Sequence, residues 1–175
     1  MSKARHKARR LAMQALYAWQ MSGQDLTEID EQIRLDHDMS KVDQEYFSEL
    51  LHKVPSLLQV LDDHIIPLLD RDLDKVDPTE RAILRMGAYE MAFRPDVPYK
   101  VAINEGVELA KTFGAEDGHK FINGILDGMA KNLRAVEIKG SASRTKTKKS
   151  KSPTKTSANT STVNTSKNKK RASGK

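Results

Sequence analysis

Between Ala8 and Met129, apolar residues recur at three- and four-residue spacing, and no segment sustains alternation with β-branched enrichment. That period belongs to helices packed by one face and leaves no candidate for a sheet. Residues 3–21 are rich in helix formers and contain no Gly or Pro, and Ala8, Leu11, Ala12, Ala15, Leu16 and Trp19 form one stripe. Asp25 is placed to cap a second helix carrying Leu26, Ile29 and Ile33. Ser40 followed by Asp43 reads as a capping box for a third, with Tyr46, Phe47, Leu50, Leu51 and Val54 inward. Pro55 is expected to break that helix or restart it as a fourth, through Leu58, Leu61, Ile65 and Leu68.

The second half is punctuated more sharply. In Asp77-Pro78-Thr79-Glu80, the aspartate is a natural N-cap, the proline a first helical residue, and Glu80 favours the positive helix end. The helix this opens runs to about Phe93. Pro98 opens the next, which ends at Gly114. A last helix starts near Glu116 and Asp117 and buries Phe121, Ile122, Ile125, Leu126 and Met129. The expected architecture is all-α, about seven helices in a compact bundle.

That pattern stops near residue 138. In 139–175 the only large apolar residue is Val163, while 15 of 37 residues are Ser or Thr. Such a segment buries too little surface to offset its ordering entropy, so a disordered tail is expected there. The remaining 138 residues make one ordinary domain, 1–138, able to bury roughly two-thirds of its unfolded surface. Charge follows the same division. Residues 1–10 carry five cations and no acid, 139–175 carry twelve and no acid, and 11–138 hold 13 cations against 24 acids. An acidic body with two basic ends should meet polyanions at those ends.

Several function classes are set aside by composition. Zero cysteine excludes disulfide frameworks, cysteine–zinc sites and thiol catalysis. No run approaches the ~18 apolar residues of a membrane span, and the N-terminus has no apolar signal region, so a cytoplasmic protein is expected. Of the five histidines, only Glu116-x-x-His119 has ligand-like spacing, without a second copy to complete a di-metal site. Gly114-Ala-Glu-Asp-Gly118-His-Lys120 lacks the Gly-Lys-Ser/Thr of a phosphate loop and follows a helix instead of a strand. The expectation is a non-enzyme with no cofactor, no metal and no small-molecule substrate.

The basic start is more informative. Lys3, Arg5, His6, Lys7, Arg9 and Arg10 fall on the opening turns of the first helix, where cations oppose the helix dipole and no acid is near in sequence. The pattern points to polyanion binding, with DNA and RNA both open. The basic tail reads equally as a non-specific nucleic-acid arm or a solubilising extension. Three polar features interrupt the apolar helices: Tyr89-Glu90, Asn104-Glu105 and Asn123-Gly124. The Asn and Tyr groups are expected to find partners within the bundle, and Gly124 to mark close helix packing. Phe121 is either core or a rim aromatic that stacks a base.

Five blocks carry a resemblance. Gln14-Ala-Leu-Tyr17, Ala82-Ile-Leu-Arg-Met-Gly-Ala-Tyr-Glu90, Val97-Pro-Tyr-Lys-Val-Ala-Ile-Asn-Glu105, Glu108-Leu-Ala-Lys111 and Phe121-Ile-Asn-Gly-Ile-Leu-Asp127 strongly resemble the NusB family of bacterial transcription antitermination factors. The likeness spans roughly residues 3–134 in the right order; the tail lies outside it. It implies two small packed helical bundles that bind the boxA element of ribosomal RNA transcripts together with NusE, the small-subunit ribosomal protein S-ten. NusA, NusG and RNA polymerase would join indirectly.

By motif position, the resemblance places RNA contacts on Arg5, His6, Lys7 and Arg9, to which the basic cluster adds Lys3, and on Asp117, Lys120 and Phe121 at the start of the last helix. It places the NusE surface on Tyr17 and Glu80. Histidine and lysine stand at positions 6 and 7 where arginine is common in the family. Lysine lacks the planar fork of arginine, and a histidine carries only partial charge near neutrality. Two other readings remain: the RNA-recognition domain of a ribosomal RNA cytosine methyltransferase, disfavoured by the missing cysteine and cofactor loop, and a non-specific nucleic-acid binder driven by the tail.

Overall fold

The computed structural model describes residues 2–140; Lys139 and Gly140, expected to begin the disordered tail, are helical, and the rest of the expected tail, 141–175, lies outside the described residues. Seven α-helices follow in order: α1 Lys3–Ser22, α2 Leu26–Asp36, α3 Gln44–Ser56, α4 Leu58–Ile65, α5 Pro78–Phe93, α6 Tyr99–Phe113 and α7 Gly118–Leu133. Short 3-10 turns occupy Met39–Lys41, Ile66–Leu68 and Leu73–Lys75, and residues 135–140 are again helical. The described residues contain no strand.

The helix ends follow from local chemistry. Gly23 closes α1 in the left-handed region at φ 66°, its N–H donating to Trp19 O, a conformation costly for any residue with a β-carbon. Asp25 accepts from Thr27 N, and Asp77 accepts from both Thr79 N and Glu80 N. The cap of α3 is Asp43, which accepts from Tyr46 N; Ser40 instead belongs to the preceding 3-10 turn. Pro55 neither breaks nor restarts a helix. It sits in the last turn of α3, and the junction with α4 falls at Leu57.

α5 is the hub, touching α1, α3, α4, α6 and α7, while α1 also packs on α2 and α3. Ten of its sixteen residues are buried, so α5 has no polar face to spare for solvent. Close approach around α7 depends on two glycines. A β-carbon at Gly87 would stand 2.6 Å from one methyl of Leu126, and a β-carbon at Gly106 2.7 Å from the other. Gly124 does not have the packing role expected of it. It faces solvent, and a β-carbon there would meet nothing within 4 Å. Asn104 and Asn123 are likewise exposed, whereas Tyr89 donates to Glu49 at 2.6 Å.

Two polar clusters tie the helices together from within. Near one end, buried Arg85 on α5 forms a bidentate pair with Asp62 on α4, both contacts 2.8 Å, and also donates to Gln20 on α1 at 2.6 Å. Such forked pairing fixes orientation as well as distance. The other cluster lies under the basic start of α1.

Candidate nucleic-acid interface

The opening turns of α1 do not present six equivalent cations. Arg9 is only 2% exposed and points into the core, where its Nε donates to Glu90 on α5 at 2.7 Å. Its Nη2 donates to the Tyr46 hydroxyl at 3.3 Å, and that hydroxyl in turn donates to Glu90. Nη1 lies 3.8 Å from Glu105 and makes no hydrogen bond among the described residues. Burial opposes the charge on Arg9, but Glu90, Tyr46 and Glu105 more than offset it and hold the guanidinium protonated. Burial pushes the Glu90 carboxyl up, against the pull of Arg9 and Tyr46. Arg9 is therefore a core cation, contrary to its expected place on an exposed phosphate-binding surface.

Two further cations have acid partners brought from distant segments. Arg5 is half-buried and donates to Asp43 at 3.3 Å and to Asp96 at 3.1 Å. His6 Nδ1 lies 2.9 Å from Glu105 Oε2, leaving its other ring nitrogen on the exposed side chain. The acids missing from the local sequence are supplied by the N-cap of α3, the α5–α6 connection and α6. Lys3, Lys7 and Arg10 remain exposed and make no ion pair among the described residues. Helical spacing puts these three on one face with Gln14 and Tyr17.

That row borders two surface clefts. Lys7, Arg10 and Gln14 line one of about 310 Å³ with His37, Asp38 and Val42. Gln14 and Tyr17 line the next, about 330 Å³, with Met13, Thr79 and Phe113. Arg10 joins them, its guanidinium 5.3 Å from the centre of the Phe113 ring. Tyr17 is exposed and thus continuous with the cationic row.

The start of α7 is built differently. Asp117 adopts φ 64°, the one left-handed residue other than glycine among those described, and its exposed carboxylate pairs with Lys120 at 2.8 Å. Phe121 is half-buried, with the Arg71 guanidinium 5.4 Å from its ring centre. The Glu80 carboxylate lies against Gly118, so a β-carbon at residue 118 would require that carboxylate to shift. Burial, then Asp77, raise the Glu80 carboxyl, while Arg71 pulls it down. Glu80 therefore adjoins the start of α7 as well as the start of α5.

Sequence reasoning missed Arg71, which lies in an Asp-Arg-Asp run resembling any solvated loop. It also missed the pairing acids Asp43, Asp96 and Glu105, whose proximity to α1 is purely tertiary. The burial of Arg9 did leave a signal. Residue 9 shares the helical face of Ala12, Met13 and Leu16, inside the apolar stripe.

An all-helical body with an exposed cationic row on its first helix defines the class: a small all-α protein with one basic helix face. Relatives give the class its identity. The profile of the NusB family matches residues 6–131. "Transcription antitermination protein NusB" of Pseudomonas entomophila (strain L48) is 51% identical over 140 residues, 80% of this chain and 84% of that protein. The protein of the same name from Shewanella halifaxensis (strain HAW-EB4) is 55% identical over 130 residues, covering 74% of this chain and 96% of its own. A solved structure of T. maritima NusB superposes with a TM-score of 0.63 at 29% identity, over 75% of this chain and 93% of that one. The chain belongs to the NusB family, a family of transcription antitermination factors. Among the described residues, no helix is long and apolar enough to cross a membrane.

Proposed function

We propose that this protein binds boxA RNA of ribosomal RNA transcripts together with NusE, and so helps assemble an antitermination complex that includes NusA, NusG and RNA polymerase. The observation that carries this reading is the row of exposed Lys3, Lys7 and Arg10, half-buried Gln14 and exposed Tyr17, which runs on one face of α1 from cations to an aromatic at a second cleft. Lys3, Lys7 and Arg10 attract phosphates; His6 sits at the edge of the same face beside Glu105, whereas Arg5 lies on the other side of α1, paired with Asp43 and Asp96. Arg9 takes no ligand. It holds α1 on α5 and α3, which makes it a positioning residue. At the start of α7, Lys120 and Phe121 contact RNA, the ring stacking a splayed base in exchange for Arg71. Asp117 contacts RNA only by accepting from a base edge, since its carboxylate repels phosphate.

Tyr17 and Glu80 form the NusE surface. They lie on α1 and at the start of α5, helices joined nearby by the hydrogen bond from Gln20 to Pro78 O at 2.9 Å. A carboxylate there suits a basic ribosomal protein. The test is a binding titration of the full chain with boxA RNA and a scrambled RNA of equal length, with and without NusE. A boxA preference sharpened by NusE, and weakened NusE binding by Glu80→Lys, are expected. Equal affinity for the two RNAs in every mixture would overturn the reading.

A further inference from the structure

The cleft of about 310 Å³ beside the cationic row has walls of opposite charge. Lys7, Arg10 and Gln14, which share a face of α1, form one wall. The other wall is the connection from α2 to α3, where His37 and Asp38 are exposed. Buried Leu11 and half-buried Val42 supply the apolar surface of the cleft.

The second wall is fastened to the first. Asp43 N–H donates to Ala4 O at 3.1 Å, which ties the end of the connection to the start of α1. Asp38 Oδ1 accepts from Ser40 N at 3.0 Å, and Val42 N–H donates to Met39 O at 3.2 Å, so the turn that carries the carboxylate is braced from within. Hydrogen bonds from Ser40, and then the charges of Lys41 and Lys7, hold the Asp38 carboxyl below its ordinary range. A carboxylate has acceptor sites beyond the one given to Ser40. The side chains of Lys7, Gln14 and His37 make no hydrogen bond among the described residues.

That mixture restricts the ligand. A bare phosphate would be drawn by Lys7 and Arg10 but repelled by Asp38, and a simple cation would meet the reverse. An anion that also carries N–H donors on a flat, weakly polar body suits both walls and the apolar surface. A nucleotide whose base bears an exocyclic amino group has all three parts, and carboxylates accept from the cytosine amino group elsewhere. The volume lies at the lower end of the range for small-ligand pockets, about 300–1,000 Å³, which suits a single nucleotide.

We infer that this cleft holds one nucleotide of the bound RNA, its phosphate on Lys7 and Arg10, its ring against Leu11 and Val42, and its amino group donating to Asp38. The inference rests on the RNA-binding reading above and adds a base-selective position to it. Asp38 is the residue that discriminates, because uracil has a carbonyl oxygen where cytosine has the amino group. His37 supplies a ring for stacking and Gln14 an amide for the remaining base edge.

The test uses the full chain and its Asp38→Asn variant, which keeps an acceptor for Ser40 N and gains an amide that can donate to a carbonyl. Each is titrated with oligo(C) and oligo(U) of about ten residues, within the reach of one single-strand site, with cytidine monophosphate, and with boxA RNA and its scrambled twin. The natural chain is expected to bind oligo(C) on the order of tenfold more tightly than oligo(U), and Asp38→Asn to bring the two within about twofold at unchanged thermal stability. In the natural chain, NMR resonances of the Gln14 amide and the His37 ring should shift with oligo(C); their silence would overturn the site without recourse to any variant. Equal affinity of the natural chain for the two oligomers, or a preference that survives in Asp38→Asn, would overturn it whatever boxA does. Cytidine monophosphate bound as tightly as oligo(C) would overturn it too, by marking a site for free nucleotides. A cytosine preference carried by Asp38, with boxA and its twin bound equally, would leave the cleft standing and sink the boxA reading.

Discussion

The Arg9 guanidinium donates to the Glu90 carboxylate at 2.7 Å across the α1–α5 contact, with both side chains 2% exposed. A cation that looks from its neighbours like part of a nucleic-acid surface is thus half of a buried ion pair. Removing one member leaves the other charge buried without its ion-pair partner, which typically costs about 3–5 kcal/mol. Arg9→Met should therefore lower stability by about that amount in urea unfolding. RNA affinity per folded molecule should remain close to the natural protein's at low temperature. A variant of full stability with lost RNA binding would return Arg9 to the interface.

The exposed cations behave in the opposite way. Replacing Lys3, Lys7 and Arg10 with glutamine removes three phosphate partners, each worth about 0.7 of the slope of log affinity against log salt on a single strand, so the slope should fall by about 2. Stability should move by less than about 0.5 kcal/mol for each change, as for most surface sites. Fluorescence titrations at several salt concentrations, paired with thermal melts, check both halves.

Asp96 predicts a pH signature. Hydrogen bonds from Arg94, and then Arg5, hold its carboxyl well below the usual carboxylate range. A depressed carboxyl contributes stability above its unfolded value, about 3.9, and loses it as pH falls through the lower folded value. Asp96→Asn should thus be less stable than the natural protein at neutral pH, with the gap closing below about pH 4 as the natural Asp96 protonates. Urea midpoints across that range report the gap; a constant difference would mean that the pairing adds nothing.

Gly87→Ala tests the packing of α7. The added methyl would meet Leu126 at 2.6 Å, and the leucine cannot simply swing away because its other methyl already faces Gly106. Overpacking of this kind costs about 1–3 kcal/mol. Gly124→Ala, in open space on a helix, should be neutral or stabilising by up to about 1 kcal/mol. Paired unfolding curves for the two alanine variants decide it.

The contrast between those glycines shows what could be read in the sequence. Helix stripes and the caps at Asp25 and Asp77 depend on residues within a turn or two of each other, so the sequence states them directly. The reason for a glycine depends on what lies across from it. Gly124 and Gly87 both interrupt helices, and only the placement of Leu126 distinguishes them. The candidate surface divides in the same way. Lys3 and Lys7 are exposed as their helical phase implies, whereas the neutralisation of Arg5 by Asp96 joins residues 91 positions apart. Arg9 was legible in part, since its phase places it among Ala12, Met13 and Leu16, but a run of cations masks that phase.

The leucine wedge also gives α7 a fulcrum. Lys120 and Phe121 lie six and five residues before Leu126 on the same rigid helix, about 7–9 Å along its axis. A methyl's width of displacement at residue 126 would tilt the helix and carry that end with it, without any change in the side chains at the rim. Variation deep in this core is thereby geared to the outer face. A chain altered only at Gly87 or Gly106 should therefore fold and still misaim Lys120 and Phe121, the RNA contacts proposed above.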